Sequence, residues 1–134
     1  MNCLCNQHAD ATTIYHLIEV EEWTKASEKE PYFPATYKQD GFTHATHDPK
    51  SLISIANHFY RESKRDWICL AIDVKKLKSP LKWESPAAVG DKESHTKEKL
   101  LFPHVYGPLY PSEVTTFHKV NREEDGKFTS IGEE

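Results

Sequence analysis

Eight histidines, at positions 8, 16, 44, 47, 58, 95, 104 and 118, are the residues of this chain best suited to chemistry near neutral pH, because imidazole is the side chain whose ordinary pKa lies there. Three have neighbours that would hold them firmly. His16 lies in Ile14-Tyr15-His16-Leu17-Ile18, His44 in Gly41-Phe42-Thr43-His44-Ala45-Thr46, and His104 in Phe102-Pro103-His104-Val105-Tyr106. Glu84 follows Trp83, whose bulk can desolvate the carboxylate. Such a set around one cleft supports three chemistries. Zinc accepts imidazole and carboxylate, although there is no H-E-x-x-H or paired C-x-x-C, and His44-x-x-His47 would place its rings on opposite strand faces. Acid–base or nucleotide chemistry without metal is the second, with imidazoles polarising hydroxyls and phosphates, a carboxylate stabilising a developing cation, and Tyr32, Phe33, Tyr37 and Tyr106 available to sandwich a planar ring. The third is a noncatalytic module that binds a small ligand or a protein. A purely structural role remains beside these, with the histidines packed in a core and satisfied by backbone. No P-loop, G-x-G-x-x-G or G-x-S-x-G occurs.

The elements that must position these residues follow from periodicity. Thr13 to Ile18 is β-rich, with Ile14, His16 and Ile18 on one face, and reads as a central strand. Glu19 to Lys29 reads as a helix ended by Pro31, with Val20, Trp23 and Ala26 inward. Tyr32 to Tyr37 is an aromatic connector. Gly41 closes a turn from Gln39-Asp40, and Phe42 to Thr46 alternates as a strand, which would put Phe42, His44 and Thr46 on one face with Phe42 toward the core. Asp48-Pro49 opens a second helix to about Glu62, with Asp as N-cap, Pro at the first helical position and Leu52, Ile55, Ala56 and Phe59 as its buried stripe. The basic cluster Arg61, Lys64 and Arg65 suits its C-terminus. Asp66 to Val74 is a strand buried on both faces, and Leu81 to Ser85 a short strand. Residues 86–99 are polar and aperiodic and read as a mobile surface loop. Leu100 to Pro111 is apolar but holds three prolines and a glycine, which predicts a packed irregular segment rather than a helix or central strand. Val114 to Val120 alternates as a last long strand, and Asp125-Gly126 is a turn signal for a hairpin to Ile131. The order predicts an α+β fold: two main helices on a curved or split, antiparallel-rich sheet.

At 134 residues the chain is expected to form one domain over residues 13–131 behind a flexible lead of residues 1–12. A net charge of −4 argues against broad binding to nucleic acid or acidic membranes. Three cysteines, Cys3, Cys5 and Cys69, do not make a disulfide framework; Cys3-Leu4-Cys5 with His8 could bind metal but reads as a frayed terminus. No apolar run approaches the ~20 residues of a membrane span or a signal peptide. A cytoplasmic protein, monomeric or weakly dimeric and without membrane association, is the expectation.

Several motifs, in order and spacing, resemble a family of small proteins known as domain of unknown function 952. They are Ile14-Tyr15-His16, Gly41-Phe42-Thr43-His44-Ala45-Thr46, Leu70-Ala71-Ile72-Asp73, Trp83-Glu84, Phe102-Pro103-His104-Val105-Tyr106-Gly107 and Asp125-Gly126, so the resemblance covers about residues 13–128. Thr43 stands where that family usually has Ile, and Thr46 where it usually has Ser. The resemblance implies a fold similar to the ADP-ribosyltransferases, a split curved sheet around a cleft that holds NAD in active relatives. His16 looks like the first-strand histidine of that superfamily, which contacts the nicotinamide ribose. His44 and Thr46 fall near its second-strand position, where the tRNA 2′-phosphotransferase branch is loosely similar. Glu84 is the candidate for its late carboxylate. Phosphate-gripping arginines of that branch have no counterpart near His16 or His44. The expectation is therefore a domain that binds NAD, as substrate, or a related ADP-ribosyl nucleotide, without metal. His16, His44 and Glu84 would be catalytic, and Thr46, Tyr37, His104 and Tyr106 would contact the ligand. The noncatalytic module is the main alternative and a zinc-dependent hydrolase the third.

Overall fold

The computed structural model describes residues 12–85, 89 and 101–132. The N-terminal lead, including Cys3 and Cys5, and nearly all of the 86–99 segment lie outside the described residues. Seven strands run antiparallel to their neighbours: β1 (Thr13–Glu19), β2 (Thr43–His44), β3 (Trp67–Asp73), β4 (Leu81–Glu84), β5 (Phe102–Val105), β6 (Val114–Arg122) and β7 (Phe128–Ile131). They form a four-stranded sheet in the order β1-β3-β6-β7 and a three-stranded sheet in the order β2-β5-β4. One bridge joins them: the Tyr15 N–H donates to the Thr46 carbonyl at 2.6 Å and the Thr46 N–H to the Tyr15 carbonyl at 2.9 Å. The result is a curled, split antiparallel sheet with few helices.

β1 and β3, at one side of the four-stranded sheet, are buried on both faces, as their continuous apolar runs require, while β6 and β7 alternate toward solvent. Ile14, Ile18, Leu70 and Ile72 pack with Ala45, Val105 and Leu109 of the second sheet and its connections. On the other face Leu17, Cys69, Val120 and Phe128 pack against Leu52 and Ala56. The last two belong to the principal helix, here α3 (Pro49–Phe59), which starts as its sequence predicts: Asp48 is the N-cap, its carboxylate accepts the Lys50 N–H at 2.9 Å, and Pro49 follows. Of the predicted stripe Leu52 and Ala56 are fully buried, while Ile55 and Phe59 are half-buried.

The helices differ from expectation. In place of two main helices there is one, with two short ones, α1 (Val20–Lys25) and α2 (Tyr37–Asp40). The α1 helix ends before Lys29 because Ala26 turns extended and a Ser27–Glu30 turn follows, clasped by Glu30 N–H to Ser27 Oγ at 2.9 Å. Glu28 is drawn instead to Ser112 and Lys78, each contact at 2.8 Å. The single turn of α2 is closed by Gly41 at φ 85°, whose N–H reaches the Tyr37 carbonyl at 2.7 Å.

The 100–111 segment is a correction. Phe102–Val105 is the central strand of the small sheet despite Pro103. A strand residue points its N–H and C=O to the same side, and the Pro103 carbonyl accepts the Ala45 N–H at 3.2 Å. The missing N–H therefore falls where β2 has already ended, so the proline limits the β2–β5 ladder instead of forbidding the strand. Among the described residues no helix is long and apolar enough to cross a membrane.

Candidate functional site

Register decides which side chains share a face of the small sheet. His44 stands opposite His104, Lys82 opposite His104 on the other side, and Glu84 opposite Phe102. Directly opposed residues project to the same face. That face therefore carries His44, His104, Lys82, Glu84 and Phe102, while Thr43, Val105 and Leu81 project to the other, core face. Thr43 is fully buried and donates its hydroxyl to the Gly107 carbonyl at 3.0 Å. The sequence grouping of Phe42 with His44 holds, with ring centroids 4.7 Å apart, but the direction is reversed: Thr43 points to the core, and Phe42 stacks on His104 at 4.0 Å.

Two carboxylates reach the two histidines. Asp40, at the end of α2, lies 3.0 Å from His44 Nε2, and Glu84 lies 2.9 Å from His104 Nδ1. The same Glu84 oxygen accepts the Tyr106 hydroxyl at 2.5 Å. The Tyr106 and His104 hydrogen bonds hold the Glu84 carboxyl below its usual range, and the reciprocal bond holds the Tyr106 phenol above its own. Burial lowers the pKa of both His44 and His104 despite their carboxylate partners, which favours the neutral form of both rings. Lys82 Nζ sits over the Tyr106 ring, 4.9 Å from its centroid.

His16 projects from β1 at the split between the sheets. Its Nδ1 donates to the His44 carbonyl at 2.5 Å, and its Nε2 faces the Tyr32 hydroxyl at 3.5 Å. Burial pushes its pKa down to about 4, so this imidazole also stays neutral.

The cleft opens between this split and α3. A narrow inner cavity is lined by His16, His44 and His104 with Leu52, Ile55 and Phe59 of α3. It continues past His16, His44 and Tyr60 into a wider outer chamber, walled by Tyr32, Phe33 and Trp67 and bearing Glu19, Glu22 and Arg65. Arg65 pairs there with Glu19 at 3.1 Å and also with Glu21. Among the described residues no group of three or more His, Cys, Asp or Glu is placed to hold a metal ion.

The residues singled out from sequence are thus sorted by the structure. His16, His44 and His104 converge on one cavity. Glu84 and Tyr106 join them through His104 on the same sheet face without lining the cavity. Tyr37 stands on α2 with its ring against Phe33 at 4.9 Å. Thr46 is fully buried, and its hydroxyl accepts the Asp48 N–H at 3.4 Å, so it braces the start of α3. Sequence reasoning missed Asp40 as the partner of His44. The available signal was an acid followed by the turn glycine, four residues before the histidine.

This geometry defines an α+β protein with a split antiparallel sheet and an imidazole-lined cleft. The chain belongs to the family described as protein of unknown function DUF952, whose model matches residues 17–117. It is similar to the crystal structure of protein CC0527 from Caulobacter crescentus, at 27% identity over 88% of this chain and 94% of that one, with a TM-score of 0.68. A double mutant of CC0527 matches at 26% identity with the same coverage and TM-score. The solution NMR structure of CC0527 matches at 27% identity over 85% and 89% of the two chains, with a TM-score of 0.61. No curated protein matches the chain.

Proposed function

We propose that the cleft binds NAD or a related ADP-ribosyl nucleotide in the manner of an ADP-ribosyltransferase-like domain, and that Glu84 stabilises an oxocarbenium-like ribosyl cation as the bond to nicotinamide breaks. The observation that carries this reading is the state of Glu84. It is an ionised carboxylate held by Tyr106 and His104, half-exposed on the sheet face that runs into the cavity. A fixed negative charge beside a developing cation is the electrostatic arrangement that lowers such a barrier. The aromatic wall of the outer chamber suits a planar ring.

The test is thermal stability with and without NAD and ADP-ribose, on wild type and on His44→Ala. Ligand at about a hundred times its dissociation constant adds roughly 2.7 kcal/mol, which for a chain of this size is a rise of several degrees. A rise in wild type that is absent in the variant supports a nucleotide at the histidines. No rise with millimolar ligand sinks the reading.

A second reading rests on the outer chamber. Glu19 and Glu22 line it, and Arg65 is already engaged by two glutamates. That balance is poor for a pyrophosphate and favours a noncatalytic module for a neutral ring-bearing ligand. It predicts binding without nicotinamide release on long incubation.

A further inference from the structure

The hydrogen bonds of the three imidazoles fix more than their orientation. A backbone carbonyl and a carboxylate oxygen can only accept. The nitrogen facing each one must therefore carry the proton: Nδ1 in His16, Nε2 in His44 and Nδ1 in His104. A neutral imidazole holds one N–H, so the opposite nitrogens, His16 Nε2, His44 Nδ1 and His104 Nε2, are lone pairs. All three rings line the inner cavity. His16 Nε2 already faces the Tyr32 hydroxyl at 3.5 Å, so the acceptors left for a ligand are His44 Nδ1 and His104 Nε2.

We infer that Asp40 is a specificity-determining positioning residue, which together with Glu84 makes His44 and His104 a facing pair of hydrogen-bond acceptors, so that the cavity takes a neutral, hydroxyl-rich sugar moiety there and rejects phosphate. Sugar hydroxyls donate to imidazole lone pairs. An ionised phosphodiester oxygen accepts only and would meet two acceptors, an arrangement that leaves buried polar groups unmatched. An ammonium donates too, but Glu84 Oε1 already accepts from both Tyr106 and His104, and the Lys82 ammonium beside Tyr106 sets a like charge on the same sheet face. The inference rests on the nucleotide reading for its ligand: it assigns the ribosyl end to the imidazoles and leaves the pyrophosphate elsewhere.

The experiment is long-range proton–nitrogen NMR of the full chain labelled at histidine, near neutral pH. The expected spectrum shows the N–H at Nδ1 in His16 and His104 and at Nε2 in His44. Methyl β-D-ribofuranoside should then move the unprotonated nitrogens of His44 and His104, while inorganic pyrophosphate, putrescine and zinc leave them in place. Asp40→Ala should weaken the riboside about tenfold, because an imidazole no longer held in one tautomer and orientation gives up a hydrogen bond to it. The opposite tautomer at His44 or His104 overturns the inference, as does a response to pyrophosphate, putrescine or zinc, or an unchanged affinity in Asp40→Ala. The wild-type spectrum and titration decide alone if that variant does not fold. The riboside carries neither nicotinamide nor phosphate. Its binding with no stabilisation by NAD would sink the nucleotide reading and keep this one; stabilisation by NAD with a silent riboside would sink this one alone.

Discussion

His44 and His104 face each other across a single rung between β2 and β5, their rings 5.6 Å apart and edge to face, and each is engaged by a carboxylate from a different element. Asp40 comes from the turn of helix before β2, Glu84 from the edge strand β4. A rung of two paired residues is thereby clamped from both sides, which fixes the two imidazoles in the wall of the inner cavity.

Glu84→Gln keeps the shape of the side chain and removes its charge. If Glu84 stabilises a ribosyl cation, nicotinamide release from NAD should fall about 10²–10³-fold, the usual effect of losing one electrostatic stabiliser, while NAD affinity stays within a few-fold. Release assayed beside thermal stabilisation separates the two; equal loss of both would remove Glu84 from the chemistry.

His16 predicts a loss of stability in acid. Its folded pKa, about 4, lies below the 6.5 of an unfolded histidine, so between those values the unfolded chain binds a proton that the folded chain does not. Stability is therefore full above about pH 6.5 and declines as pH falls toward 4. At about 1.4 kcal/mol per pKa unit, the loss is on the order of 3 kcal/mol. Urea unfolding at pH 7.5 and pH 4.5 should show a smaller acid-induced loss in His16→Gln than in wild type. Equal losses would place the titration elsewhere.

Two glycines with positive φ should respond differently to alanine. Gly41, at φ 85°, has nothing within 4 Å of an added Cβ, so Gly41→Ala should cost only the left-handed penalty of about 1–2 kcal/mol. Gly126, at φ 97°, would bring a Cβ to 2.3 Å from the Arg61 carbonyl. Gly126→Ala should be clearly the worse of the two in melting temperature.

Thr43→Val tests the polar anchor under the site. It keeps the volume but leaves the Gly107 carbonyl without the Thr43 hydroxyl, a cost of about 1–3 kcal/mol in a buried position. Urea unfolding at neutral pH measures it. A neutral result would show that the hydroxyl is dispensable and the β-branched shape sufficient.

Much of this architecture was legible because it depends on local patterns. The double-faced apolar run at Trp67–Asp73, the alternation after Val114, the Asp48-Pro49 helix start and the Asp125-Gly126 turn all formed where periodicity and capping put them. The misses depend on distant partners. Pro103 is tolerated in a central strand because β2 stops beside it, and α1 is short because Glu28 is held by Lys78 and Ser112. At the site, the three histidines were found from their flanks, whereas Asp40 was missed because its role appears only once Gly41 turns the chain back. Thr46, placed at the ligand by the resemblance, is fully buried at the bridge to Tyr15, a long-range pairing that its local sequence does not carry.

The stretch from Thr43 to Thr46 changes sheets within four residues, pairing with β5 at its start and with β1 at its end. His44 rides on that stretch and His16 donates to its carbonyl, so one short segment that stitches the two sheets together also holds the two imidazoles at a fixed spacing.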